Sequence, residues 1–259
     1  MSITPLPSAV GAAKQRRAAR LFADDGRAVF VALDHAAYMG SGPPLGDPMR
    51  AIAAAAPDSI LATWHLAREY PVDFARSGLV LRIDGGVSEM GGFATEDTLG
   101  FLHSVEDAVR IGADAVVVLG YPGAPDEHLS LQRIAAVCTE AERYGLPVMA
   151  EMIPGGFGRA VEWSVEHIAK SARLGAELGA DVVKTVCPED PADFAEVVAA
   201  CPVPVVALGG PKMPDEDAVV AVARGVVEVG GAGIAFGRNV WGSTDPAGLV
   251  GRLMDAVHG

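Results

Sequence analysis

Cysteine is scarce: only Cys138, Cys187 and Cys201 occur in 259 residues. An odd number at wide spacing suits reduced thiols better than a disulfide scaffold. Aromatic residues make up 6% of the chain, and 20 Lys and Arg stand against 33 Asp and Glu, for a formal charge of −13. The long cationic stripe that grips a phosphate backbone is therefore missing, and nucleic acid is not an expected partner. No apolar run reaches the roughly 18 residues of a membrane helix, so no membrane partner is expected either. The basic stretch carrying Lys14, Arg16, Arg17 and Arg20 has no apolar signal segment after it, and the expected location is the cytoplasm. The six histidines show no metal-ligand spacing. Neither a metal nor a cofactor is expected.

What is present is an ordinary globular composition, 50% hydrophobic and 20% charged, which rules out disorder and collagen-like repeats. The length suits a single α/β barrel. Apolar runs bounded by turn residues fall at 28–34, 59–64, 79–84, 114–120, 147–152, 180–186, 203–208 and 232–236. Rich in Val, Leu, Ile and Ala with little polar alternation, they read as parallel strands buried on both faces. Helical stretches follow, clearest at 104–111, 127–144, 160–178, 191–200, 215–229 and 245–257, with Ser104 and Asp190 near two of their heads. Eight such units predict a (β/α)8 TIM barrel of the α/β class, one domain over residues 1–259 with residues 1–26 as an N-terminal helical extension. An open doubly wound sheet is the alternative, but the first strand lacks the glycine-rich nucleotide loop that fold favours.

In a barrel the chemistry sits at the C-terminal ends of the strands. Polar residues gather there: Asp34-His35, Trp64-His65, Arg82 and Asp84, Gly120-Tyr121, Glu151, Lys184-Thr185, Gly209-Gly210 and Gly237-Arg238. Lys184 lies in an otherwise apolar strand. A lysine so placed is either a structural cation paired with an inward carboxylate or a nucleophile, since burial disfavours an ammonium and frees the neutral amine to attack a carbonyl. Gly209, Gly210, Gly237 and Arg238 follow strands seven and eight, the recurrent phosphate site of this fold, where glycines admit an anion to backbone N–H groups and an arginine can grip it in two places.

The segments 174–185, 201–212 and 233–239, with Asp34-His35 after strand one, resemble the archaeal-type class I (Schiff-base) fructose-bisphosphate aldolase family. That group includes the 2-amino-3,7-dideoxy-D-threo-hept-6-ulosonate synthases and the autoinducer-2 phosphate thiolase. The likeness is close from about residue 140 onward and looser before it. It implies Lys184 as the Schiff-base residue, Asp34 as a nearby acid/base, and Gly209, Gly210, Gly237 and Arg238 around a sugar phosphate. One position departs. Where the family carries a catalytic tyrosine after strand five, this chain has Ile153, which cannot move a proton; losing a positioned acid/base removes about 10²–10⁴-fold of rate.

Two residues are candidates to replace that tyrosine. Period-two alternation puts Glu151 on the side of Ile153, provided the strand stays regular, and Tyr121 ends strand four. Glu151 is alternatively the counter-ion of Arg82 or Lys184, and Tyr121 a rim aromatic. Arg82 and Asp84 share a face of strand three and either bind the polar end of the substrate or satisfy one another and Asp34. His35 is a further candidate substrate contact or a hydrogen-bonded structural residue. Cys187 has no activating cation beside it in the sequence. The glycine-rich segments 40–44 and 155–158 are candidate lids. The expected activity is a class I aldolase-type lyase or transferase, working on the carbon–carbon bond of a phosphorylated keto substrate through a lysine iminium, in a homo-oligomer. Thiolase-like acyl transfer to coenzyme A and a non-catalytic sugar-phosphate-binding protein are the alternatives.

Overall fold

A computed structural model describes residues 6, 11–86, 90, 100–125 and 127–259. The eight apolar runs form β1 (Ala28–Ala32), β2 (Ser59–Ala62), β3 (Gly78–Arg82), β4 (Ala115–Gly120), β5 (Val148–Met152), β6 (Val182–Val186), β7 (Val205–Leu208) and β8 (Gly233–Phe236). They pair in parallel and close into a barrel in the order β1-β8-β7-β6-β5-β4-β3-β2. The TIM-barrel expectation is met. Every strand carries two apolar faces because one is buried in the barrel interior and the other under the helices. Phe30, Leu61, Val80, Met149, Val182 and Val206 fill the barrel, while Val31, Ile60, Leu81, Val116 and Val183 pack outward with the helices, as a period of two requires.

The helical extension expected over 1–26 falls partly on residues 1–5 and 7–10, outside the described residues. Its described part forms α1 (Ala12–Leu21). Ala18, Leu21 and Phe22 join the interior cluster, and Lys14 pairs with buried Asp181 at 3.0 Å just ahead of β6. Because Asp181 also accepts the amide of Val148, the first residue of β5, at 2.9 Å, α1 is pinned under the N-terminal ends of the strands. This leaves the opposite end for ligands.

Element ends differ from expectation where side chains compete for the backbone. The first strand stops at Ala32: Asp34 sits at φ −91°, ψ 3°, and the chain turns into a short 3-10 segment, His35–Ala37. The bridge region is common among active-site residues. The helix expected from 160 begins only at Val165, giving α3 (Val165–Glu177), where the Ser164 hydroxyl accepts the His167 amide. Ser104 caps α2 (Val105–Arg110) through a reciprocal box with Asp107. A two-residue antiparallel ladder, Asp84–Gly85 against Gly100–Phe101, follows β3 and has no counterpart in the sequence reading. Among the described residues no helix is long and apolar enough to cross a membrane.

The last helix, α4 (Pro246–His258), ends in a pH-dependent clasp. His258 Nε2 lies 2.9 Å from Asp58 Oδ2 and its Nδ1 2.8 Å from Asp25 Oδ2. Hydrogen bonding to Asp58 leads the shift that raises the imidazole to about 9. A group raised on folding stabilises fully below its unfolded value, near 6.5, and loses that contribution as pH climbs through about 9. The Tm difference between wild type and His258→Gln should therefore be constant below about pH 6 and shrink between about pH 6.5 and 9. A difference that does not change over that window would refute the clasp.

Candidate active site

Strand register brings the site together. Glu151 and Lys184 are direct neighbours across β5 and β6, and both face inward because Met149 and Val182, two residues earlier on the same faces, fill the barrel. Lys184 Nζ lies 2.7 Å from Glu151 Oε1. The other Glu151 oxygen is in close ion-pair contact with Arg82 Nη2. From the end of β3, Arg82 also reaches Asp34 Oδ2 through Nε at 2.9 Å and Asp84 Oδ1 through Nη1 at 3.1 Å. Asp84 Oδ2 in turn accepts the Leu119 amide at 2.7 Å and lies 3.6 Å from Arg133 Nε.

This network is buried and balanced. The Arg82 side chain has 0% exposure, as do those of Asp34 and Asp84, while Lys184 has 2% and Glu151 4%. Three carboxylates meet three cations, so no charge is left uncompensated in a medium where isolation costs several kcal/mol per ion. Burial would raise Glu151, but Lys184 and Arg82 outweigh it and hold the carboxyl below its ordinary value. Asp34, likewise opposed by burial, is brought down to about 2 by Arg82, Lys184 and His35. Asp84 is the exception, with burial the winning influence and a raised value.

Above the network lies a cavity whose walls include Lys184, Glu151, His35, Tyr38, Phe157 and Arg238. Gly209, Gly210 and Gly237 also line it, so six of the residues singled out in the sequence for catalysis or phosphate binding share one chamber with His35. Gly237 is sterically required: a Cβ there would stand 2.2 Å from His35 Cε1 and 2.6 Å from the Ala32 carbonyl oxygen. Arg238 donates from Nη2 to the Gly210 carbonyl at 2.9 Å, which holds the guanidinium across the mouth of β7 and β8. Its Nε is buried without a partner. Asn239 laces the loop, donating to Gly209 and Pro211 carbonyls at 3.0 and 3.2 Å and accepting from the Met213 amide at 2.8 Å.

Other candidates fall elsewhere. Arg82, Asp84 and Asp34 are not in the cavity wall; for Arg82 and Asp84 the geometry is the mutual-satisfaction alternative rather than an exposed substrate contact. Tyr121 is buried beside the site, edge-on to Phe157 at 5.7 Å, and is also absent from the wall. The regular strand that would align Ile153 with Glu151 ends at Met152, and Ile153 is buried but absent from the wall. His35 is pushed down to about 4 by burial and is neutral at physiological pH. Cys187 lines a neighbouring groove, its thiol pushed up to about 12 by burial. Trp64 stacks on His103 at 4.6 Å, and His65 is exposed. Of the two candidate lids, the 155–158 segment supplies the roof residue Phe157. Segment 40–44 supplies no wall. Among the described residues no cluster of three or more His, Cys, Asp or Glu could hold a metal.

Sequence reasoning missed Tyr38. It lies four residues beyond Asp34, in the loop after β1, and being on a loop at the catalytic end of a barrel was the available signal. Arg133 was missed too, its helical surroundings giving no sign that it reaches Asp84.

The profile of the DeoC/LacD family aldolases matches residues 29–243. The chain belongs to the DeoC/LacD aldolase family. It is 32% identical over 247 residues to the 3-hydroxy-5-phosphonooxypentane-2,4-dione thiolase of Enterobacter sp. (strain 638), covering 94% of this chain and 81% of that protein. It is 34% identical over 189 residues to the 2-amino-4,5-dihydroxy-6-oxo-7-(phosphonooxy)heptanoate synthase of Streptomyces griseus, covering 73% of this chain and 68% of that protein. An archaeal fructose-1,6-bisphosphate aldolase, solved with its catalytic lysine bound to the carbinolamine intermediate of its substrate, superposes with a TM-score of 0.82. It is 30% identical, with 94% of this chain and 99% of that chain covered. The protein is thus a class I aldolase-type enzyme of carbon–carbon bonds, and the barrel is the one its family uses.

Proposed function

We propose that Lys184 condenses with the ketone of a phosphorylated keto substrate and that the resulting iminium drives carbon–carbon cleavage or formation. The observation that carries this reading is the 2.7 Å contact between Lys184 Nζ and Glu151 inside a chamber that also holds Gly209, Gly237 and Arg238. As the amine attacks, its proton passes to Glu151 and returns to the carbinolamine hydroxyl, which leaves as water. Asp34 stays ionised, and its Oδ1, buried without a hydrogen-bond partner, stabilises the positive iminium. The substrate phosphate takes the backbone of the two glycine loops and the guanidinium of Arg238. Phe157, from the loop after β5, roofs the chamber. Three unpaired thiols support a cytoplasmic setting.

Borohydride added with dihydroxyacetone phosphate or a ketose phosphate should leave a reduced adduct on the peptide containing Lys184, read by mass spectrometry. An adduct on another lysine, or none with any phosphorylated ketone, overturns the assignment. Arg238→Ala should weaken phosphorylated ligands by about 10–100-fold, the worth of a charged hydrogen bond of about 1.5–3 kcal/mol, and leave unphosphorylated analogues unaffected. Equal loss for both would move the phosphate elsewhere.

The name of the Enterobacter relative favours a second reading, in which the same lysine activates a β-diketone and the acyl fragment passes to the free thiol of coenzyme A. A protonated Cys187 outside the chamber does not serve as a protein acyl carrier. Product formation that requires coenzyme A would separate this reading from an aldol cleavage.

A further inference from the structure

We propose that Tyr38 is a catalytic residue of this aldolase, its phenol giving a proton to the alkoxide formed as the carbon–carbon bond closes and taking one back in cleavage. This rests on the lysine-iminium reading above, in which Glu151 serves imine formation, and supplies a proton carrier for the carbon–carbon step. With Lys184 holding the ketone as an enamine, its nucleophilic carbon attacks an aldehyde carbonyl. The new bond forms, the carbonyl electron pair moves to oxygen, and the enamine nitrogen becomes the iminium. The phenolic O–H bond then breaks as that oxygen becomes a hydroxyl, and water in the chamber reprotonates the phenolate. In cleavage each bond change reverses, with no net oxidation.

Of the side chains in the chamber wall, few can play this part. Glu151 has one oxygen on Lys184 and the other on Arg82. Arg238 keeps its charge at any working pH. His35 is wedged between the Tyr38 ring, 5.6 Å away, and Trp241, 5.8 Å away edge-on, and a Cβ on Gly237 would already collide with it. Tyr38, 2% exposed, lines the chamber, and no hydrogen bond joins its hydroxyl to another described residue. The ring is fixed on three sides: parallel to Phe157 at 5.7 Å and 3°, against His35, and over the Arg82 guanidinium at 4.9 Å. Such a clamp holds a phenol in one orientation, which a proton donor to a short-lived alkoxide needs.

Burial, followed by the nearby Asp34 and Glu151 charges, raises the phenol well above 10. It is therefore protonated in the resting enzyme, the form that a donor to an alkoxide needs. The loop also explains why Ile153 can be apolar. The phenol comes from the β1 side of the mouth instead of from β5.

The test uses Tyr38→Phe, which keeps the ring and its stacking. Borohydride trapping of dihydroxyacetone phosphate on Lys184 should stay within about twofold of wild type, and exchange of its C3 proton in deuterated water should likewise persist. Condensation of dihydroxyacetone phosphate with glyceraldehyde 3-phosphate should fall by about 10²–10⁴-fold. Trapping and condensation both retained would overturn the role of Tyr38 while leaving Lys184 in place. Failure of the wild-type protein to trap any ketose phosphate would overturn the lysine reading and this inference with it. If Tyr38→Phe loses both signals, 3-fluorotyrosine at position 38 decides: condensation changed severalfold with trapping intact supports the assignment, and no change in either overturns it.

Discussion

Lys184→Met should abolish the borohydride adduct and lower turnover by on the order of 10⁴–10⁶-fold, the scale on which removal of a covalent nucleophile is felt. Methionine keeps most of the stem that fills the barrel beside Glu151, so the loss reports the amine rather than a void. The substitution also changes stability in a way worth measuring. Glu151 loses the partner at 2.7 Å and retains only Arg82, so three buried carboxylates face two cations. Raised by that imbalance, the carboxyl should take up a proton at higher pH, and the acid side of the Tm–pH curve should move upward. Residual turnover within tenfold of wild type, or an adduct that persists on another residue, would show that Lys184 is the structural cation of the alternative reading.

Arg82→Met should cause the largest loss of stability of any single substitution at the site. The guanidinium is the common partner of Asp34, Asp84 and Glu151, and it is buried. Breaking one buried pair costs about 3–5 kcal/mol because the abandoned charge cannot reach water. Here three carboxylates are abandoned together, and a Tm drop of about 10 °C or more is expected for a chain of this size. Acid sensitivity gives the second readout. In the wild type, Asp34 and Glu151 are lowered on folding, so their stabilisation is present above about pH 4–4.5 and disappears as pH falls through their folded values, about 2 for Asp34. Without Arg82 those values rise, and the acid-side loss should begin at higher pH. Asp84, already raised by burial, contributes with the opposite sign and tempers the shift. Arg82→Lys should recover only part of the stability, since one ammonium cannot reach three carboxylates at once. Wild-type Tm in Arg82→Met would mean that the network contributes nothing to folding.

The amino-acid order was sufficient for the barrel. Eight apolar runs at regular spacing leave few ways to bury both faces of every strand, and closing the sheet is the one that also removes its edges. Placing Lys184, the two glycine loops and Arg238 at one end followed from the direction of the strands, because all of them sit at C-terminal ends. Three features were decided only by the folded structure. The role of Arg82 depends on contacts to residues 48, 2 and 69 positions away, and no periodicity records which of several inward charges will meet. Ile153, one residue past the end of β5, is buried and takes no part in the chamber wall, and where a strand stops lies beyond a period-two rule. Tyr38 entered the chamber through a 3-10 turn after β1 and the ring of Phe157 stacked upon it. Loop side chains are placed by packing against distant neighbours, and their positions cannot be read from the local order of residues.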